Sequence, residues 1–284
     1  MSVFNRFAEE EMARFEPEAK VGLIATVNPE GLPHITLITA LQAKTPTQLI
    51  WGQFSEGKSK QHVKGNPRTG FLIMTLDRRL WRGKAVWTHE RRSGEDFEMF
   101  NNKPMFRYNA YFGIHTVHYM DLRETGGGEG LPLARIAMAA LLTRVAKSAA
   151  RQGGKEPILK PWAEDLFNKL DSLKFLCYIG DDGFPMLIPI LQCQAADSRR
   201  LVFSPQAFGS DLKSLKPGMP LAVLGLTMAM EDVLVRGTFA GYGRCRGIAL
   251  GRLDIDWVYN SMPPKPGRIY PEEEIGPMVN FGQG

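Results

Sequence analysis

The chain reads as mainly β with helices, arranged as two β-barrel modules in tandem joined by a helical segment. Three observations point there. First, one pattern is stated twice. A separation of 152 residues carries Gly31-Leu32-Pro33 onto Gly183-Phe184-Pro185, Leu49 onto Leu201, Gly57 onto Gly209 and Lys64 onto Lys216. The register holds to Thr75 and Thr227, then reads as slipping by two at Arg82-Gly83 and Arg236-Gly237. Second, the longest apolar runs, such as Phe71-Leu72-Ile73-Met74-Thr75-Leu76, have the length of strands. Third, Leu133, Ile136, Ala140, Leu141 and Val145 recur at helical spacing between the two copies.

Taken in order, residues 5–18 suggest an amphipathic helix stopped by Pro17. Val21–Val27 is an apolar strand, Asn28-Pro29-Glu30-Gly31 is turn chemistry, and Pro33–Leu41 mixes β-branched and apolar residues as a second strand. Further strands read at Gln48–Gln53, Thr69–Leu76, Leu80–His89 and Gly113–Leu122. A short helix fits Gly57–Gly65, and Glu95–Tyr111 is helical or irregular, broken by Pro104. Gly126-Gly127-Gly128 punctuates the end of the first module. Helices over about 133–148 and 160–174 link it to the second copy. The expected divisions are 1–125, a helical linker 126–174, a degenerate second barrel 175–262, and an extended arm 263–284. Half-open barrels need a covered face, so the halves pack as an intrachain pseudo-dimer or the whole chain as a homodimer.

Composition narrows the function. A chain of 284 residues with 44% hydrophobic and 23% charged residues has the makeup of a globular protein. No apolar run approaches the roughly 20 residues of a membrane-spanning helix. Glu9, Glu10 and Glu11 stand where a signal peptide would be apolar. Three cysteines without a CxxC pair give no disulfide framework, so a cytoplasmic location is expected. The charge of +5 is scattered rather than gathered into the continuous basic surface that nucleic acid requires.

One segment carries the chemistry. Gly57-Lys58-Ser59 runs from a strand end into a helix start, where unpaired N–H groups and a partial positive charge suit a phosphate. Lys58 adds charge and Ser59 a neutral donor. The competing interpretation is a solvated basic turn, and the remainder of a Walker A loop is missing. In the second copy the pair becomes Ser210-Asp211, exchanging a cation for an anion. One copy would then bind an anionic ligand and the other would not.

Ala25–His34 with its Asn28-Pro29-Glu30-Gly31 turn, Gly57-Lys58-Ser59, and Asn66-Pro67-Arg68 before an apolar strand follow one another in a telling order. This order resembles the FMN-binding split-barrel superfamily, which includes pyridoxamine 5′-phosphate oxidase and flavin reductase relatives. The likeness spans roughly residues 20–122 and recurs faintly over 175–258. It implies two split β-barrels and an FMN phosphate held by Lys58 and Ser59. It further implies that Thr36, Leu37, Ile38 and Thr39 line the cofactor, with Gln53 and Phe54 under its ring. Arg82 would stand near the pyrimidine carbonyls and Tyr108 would pack on the ring. For Arg82 and Tyr108, a surface ion pair and a core aromatic are the plain alternatives. The second basic residue of the oxidase pattern is replaced by Ser59, and basic groups expected near Leu37 and Gln42 are missing. The resemblance therefore implies an FMN-binding flavoprotein, an oxidoreductase or electron-transfer protein with a small-molecule or protein redox partner, rather than the oxidase itself. A deazaflavin-dependent reductase and a non-catalytic flavin- or haem-binding module are the alternatives.

Other candidates are blander. His115 and His118 lie three apart on a strand, on opposite faces, so no metal site is expected. His34 beside Pro33 reads as a surface or turn residue, with ligand contact the other option. Cys245, between Arg244 and Arg246, reads as an exposed thiol. No catalytic residue is assigned.

Overall fold

The computed structural model describes residues 3–17, 19–53, 57–103, 113–153, 156–229 and 231–260, and the backbone of 267–270. The first half contains β1 (Val3–Phe4), α1 (Glu9–Met12), β2 (Lys20–Val27), β3 (Pro33–Leu37), β4 (Gln42–Thr45) and β5 (Gln48–Gln53). It continues with α2 (Lys58–Gly65), β6 (Arg68–Thr75), β7 (Arg79–Arg91), α3 (Glu95–Asn102), β8 (Thr116–Gly126) and β9 (Glu129–Gly130). Helices α4 (Leu133–Ala146) and α5 (Pro161–Asn168) follow. The second half contains β10 (Leu173–Ile179), β11 (Pro185–Pro189), β12 (Gln194–Asp197), β13 (Arg200–Phe203) and α6 (Gly209–Leu212). Then come β14 (Pro220–Leu226), β15 (Asp232–Cys245), β16 (Ile248–Asn260) and β17 (Gly267–Tyr270).

The two sheets have one topology. The first runs β3-β2-β6-β7-β8-β5-β4 and the second β11-β10-β14-β15-β16-β13-β12, with each strand label raised by eight. Register repeats as well. Thr26 opposes His34 as Tyr178 opposes Met186, and Ala25 opposes Gly70 as Cys177 opposes Ala222. The β2–β3 and β10–β11 turns both rest on a glycine at φ +79°, Gly31 and Gly183, in the left-handed region that favours glycine. The β7–β8 pair carries bulges after Lys84 and after Trp87, and β15–β16 carries them after Arg236 and after Phe239. These are the same places at a separation of 152.

That register corrects the two-residue slip read from the sequence. Leu72 opposes Arg82 while Leu224 opposes Leu234, and Gly70 opposes Lys84 while Ala222 opposes Arg236. Arg236 is therefore the counterpart of Lys84, and Leu234 that of Arg82. The repeated Arg-Gly dipeptide is a coincidence within one uninterrupted frame. The length difference falls later, where a tight Cys245-to-Ile248 turn replaces the segment carrying α3.

Each split barrel has its own interior. Ile24, Trp51, Phe71 and Trp81 belong to the first, and Leu176, Phe203, Val223 and Phe239 to the second. A third core is shared. Leu23, Ala25, Ile35 and Leu72 pack with Phe175, Leu187, Leu224, Trp257 and Tyr259, burying the outer faces of both sheets against each other. Strand alternation lets one β-ribbon serve both cores. The approach is closest at Gly70, where an added Cβ would lie 2.2 Å from the Pro185 carbonyl oxygen. The halves form an intrachain pseudo-dimer.

Three local expectations change. The helix expected at residues 5–18 is the single turn α1 extended by a 3₁₀ turn to Phe15, because Phe7 and Phe15 anchor in the first core rather than along one helical face. The strand expected at 33–41 ends at Leu37, where Ile38 N–H turns inward to the Gly22 carbonyl, and β4 follows without an apolar pattern. Cys245 is buried beside Ala146 and Ala150, not exposed, because the segment after α4 covers it.

Candidate functional site

Helix α2 begins with Gly57 as an extended N-cap, and its first turn carries Lys58 and Lys60 with no acidic residue. Cations at the positive end of a helix are unfavourable unless an anion joins them. Ser59, in the same turn, is 1% exposed, and its hydroxyl has no hydrogen-bond partner. A buried hydroxyl left unpaired costs about 1–3 kcal/mol, so the orphan calls for a ligand atom or water.

The second half completes this neighbourhood. Trp257 and Tyr259 of β16 stack with ring centroids 5.3 Å apart and planes 6° apart. The Lys58 ammonium lies 5.5 Å from the Trp257 ring centre and 5.2 Å from that of Tyr259. The Arg236 guanidinium sits 3.9 Å above Trp257, and its Nε is another buried donor without a partner. From the first half, His34 reaches Tyr259 at 5.6 Å and His62 at 5.1 Å, edge to face. Among the described residues, no carboxylate forms an ion pair with Lys58 or Arg236.

Electrostatics follow from that crowding. Burial holds His34 well below the usual imidazole range, helped by His62, Arg236, Lys58 and Lys60. His62 is lowered to about 4 by burial, then by Lys58 and Arg236, with Glu30 opposing. Its Nδ1 is 3.0 Å from the Thr26 hydroxyl. Both imidazoles are neutral at pH 7, chiefly because they are buried and further because their surroundings are cationic.

The equivalent place in the other half is chemically opposite. Lys58 and Ser59 correspond to Ser210 and Asp211, Arg236 to Lys84, Trp257 to Glu124, and Glu30 to Asp182. There Arg82 meets Asp211 and Glu129, each at 2.9 Å. Lys84 meets Glu124 at 2.6 Å and Asp182 at 2.9 Å. Burial works against both charges, yet the acidic partners hold Arg82 and Lys84 above their ordinary pKa values. The second place is neutralised from within.

The residues singled out from sequence are distributed as follows. Lys58 and Ser59 stand in the cationic neighbourhood. Thr36 lies two residues beyond His34 on β3 and shares its face. Leu37 packs on the shared core, Ile38 is buried in the first barrel, and Thr39 is half-buried beyond the strand end. Gln53 is buried with its Oε1 2.6 Å from His118 Nε2. The Trp87 indole N–H donates to His118 Nδ1 at 3.1 Å, so Nε2 carries the imidazole proton and donates to Gln53. Burial lowers His118 to about 3, with Lys60 and Lys64 adding to the effect. Arg82 is bound to the second half through Asp211. Phe54 and Tyr108 lie outside the described residues. His34 is buried at 3% exposure, not a surface turn residue. No group of three or more potential metal ligands occurs among the described residues. Sequence reasoning missed Arg236, Trp257, Tyr259 and His62. Only the Arg236 side of the repeat signalled any of them, and it was read in the wrong frame.

No family model matches the chain, and no curated protein matches it. Among solved structures it is similar to an FMN-binding protein of Syntrophomonas wolfei, at 16% identity, covering 41% of this chain and 83% of that one with a TM-score of 0.35. It is similar to HupZ of Group A Streptococcus, at 14% identity over 44% of this chain and 100% of that one, TM-score 0.36. It is also similar to the haem storage protein HutZ of Vibrio cholerae, at 13% identity over 43% and 95%, TM-score 0.33. Strand order, register and paired bulges define a protein of two split β-barrels in tandem.

Proposed function

We propose that the chain is an FMN-binding flavoprotein, with one cofactor site per chain built across the two modules, serving oxidoreduction or electron transfer. The observation that carries this is the cluster of Lys58 and Arg236, neither in an ion pair among the described residues, beside the stacked Trp257–Tyr259 pair, against a counterpart where Arg82 and Lys84 are each ion-paired. A phosphate joined to a flat ring matches both parts of that surface. Ser59 Oγ and Arg236 Nε, each buried without a partner, fit such a ligand. Lys58, Ser59 and the first N–H groups of α2 would hold the phosphate. Thr36, Leu37, Ile38 and Thr39 would border the cofactor, with Gln53, Phe54 and Tyr108 as further contacts. Arg236 takes the part that sequence reasoning gave to Arg82. The flavin supplies electron transfer when bound, and the protein orients it and sets its surroundings. A small-molecule or protein redox partner in the cytoplasm completes the proposal.

Haem is the second reading, favoured by one observation: His34 and His62 offer neutral imidazoles in the same neighbourhood. A visible absorbance spectrum of the purified protein separates the two. Flavin bands support the proposal, a haem Soret band supports the alternative, and a colourless chain that takes up neither contradicts both.

A further inference from the structure

A cleft of about 630 Å³ opens at the boundary between the two halves, between the outer face of the first sheet and the β10–β11 turn. Register places its walls. Arg68 opposes Val86 and Gly70 opposes Lys84, so Arg68, Val86 and Lys84 share the face on which Gly70 meets Pro185 of the second half. Phe184, the neighbour of Pro185, stands across the cleft from them. The bulge after Lys84 leaves Arg123 unpaired between Leu122 and Glu124, and its side chain lines the same cleft.

The charges here do not cancel. Lys84 engages both carboxylates of the cleft, Glu124 at 2.6 Å and Asp182 at 2.9 Å. Arg68 and Arg123 are exposed, and among the described residues neither forms an ion pair. The Arg68 guanidinium lies 5.8 Å from the centre of the Phe184 ring, and the Lys84 ammonium 6.0 Å from it. Neither arginine comes from the repeat. Their counterparts are Pro220 and Asp256, while Phe184 stands where the other half has Leu32. Guanidinium groups suit the planar geometry of carboxylate and phosphate, and Pro67, Val86 and Phe184 supply an apolar floor beside them. The volume is that of a small-molecule site, about 300–1,000 Å³.

We propose that this cleft is a second ligand site, for a small molecule carrying a phosphate or carboxylate group on an aromatic body. Arg68 and Arg123 hold the anion, and Phe184 packs on the ring. Its ligand is not a second flavin. The helix start that would complete a flavin phosphate site in this half is that of α6, and Asp211 there is bound to Arg82. The proposal stands apart from the flavin reading of the Lys58 neighbourhood.

The test is titration calorimetry with phenyl phosphate and with benzoate. The full chain carries Lys58→Ala and Arg236→Ala, which silences the other cationic neighbourhood. One probe molecule per chain is expected, and the tighter probe tells phosphate from carboxylate. Adding Arg68→Ala or Arg123→Ala should weaken binding about tenfold, the loss of a charge-assisted hydrogen bond, and Phe184→Ala should weaken it as well. A thermal melt of each variant checks the fold. In the unaltered chain, phenyl phosphate should slow phenylglyoxal labelling of Arg68 and Arg123, read by peptide mass. Binding of neither probe, affinity indifferent to both arginines, or labelling that the probe does not slow would overturn the proposal. So would FMN bound in the silenced chain and lost with Arg123→Ala, which would make the cleft a second flavin site.

Discussion

The guanidinium of Arg82 and the carboxylate of Asp211 meet at 2.9 Å across the boundary between the two barrels. The equivalent positions in the other half hold Leu234 and Ser59. One repeat has thus turned its inter-barrel site into an ion-pair lock, while the other has kept a cation, a hydroxyl and an aromatic pair. The two halves therefore differ in charge at equivalent places.

Asp211→Ala should cost about 1–3 kcal/mol of stability, because Arg82 stays buried and loses one of its carboxylate partners while keeping Glu129. Cofactor content should not change. Urea unfolding midpoints beside absorbance stoichiometry check both halves of this expectation. An unchanged midpoint would mean the pair is worth no more than a surface contact.

Lys58→Ala combined with Ser59→Asp should weaken FMN binding by about 2–4 kcal/mol, the range for losing charge-assisted hydrogen bonds. Arg236→Ala should also weaken it, by a smaller factor, although this residue belongs to the other module. Fluorescence titration measures each affinity. Unchanged binding in Arg236→Ala would confine the site to the first module.

How much of this was legible in the chain depends on distance along it. The Gly57-Lys58-Ser59 turn and the β2–β3 turn are local, so their residues announced them. The repeat showed that two barrels exist and that Asp211 breaks the pattern. Trp257 and Tyr259 were silent, because alternation alone cannot say which barrel face meets the other half. Their counterparts, Glu124 and Gly126, are not even apolar aromatics. Arg82 and Arg236 were confused because an Arg-Gly dipeptide mimics a register that only hydrogen bonding settles. Helix 5–18 failed for a tertiary reason, since Phe7 and Phe15 are claimed by the first core.

Gly70→Val should separate the halves or unfold the chain, since any Cβ there would stand 2.2 Å from the backbone oxygen of Pro185. The same change at Gly65, where an added Cβ meets nothing within 4 Å, should be tolerated far better. Thermal melts compare the two. Equal stability would show that the close approach relaxes freely.

Stability should fall on the acid side. His62 at about 4 and His118 at about 3 lie below their ordinary 6.5. Below pH 6.5 the unfolded chain therefore binds protons that the fold refuses. Stability is complete above that pH and declines as it drops towards 4, by about 1.4 kcal/mol per pH unit for each such histidine. Bound phosphate should blunt the decline by lending His62 a counter-charge. Urea midpoints at pH 7.5, 6 and 5, with and without phosphate, test the sign. A midpoint that rises on acidification would reverse it.

The most direct test is the FMN stoichiometry of the full chain, measured by titration and by absorbance after heat release. One flavin per chain, lost with Lys58→Ala and Ser59→Asp and retained with Asp211→Ala, is the expected result. Two flavins per chain, or one that survives the loss of Lys58 and Ser59, would contradict a single site divided between unequal halves.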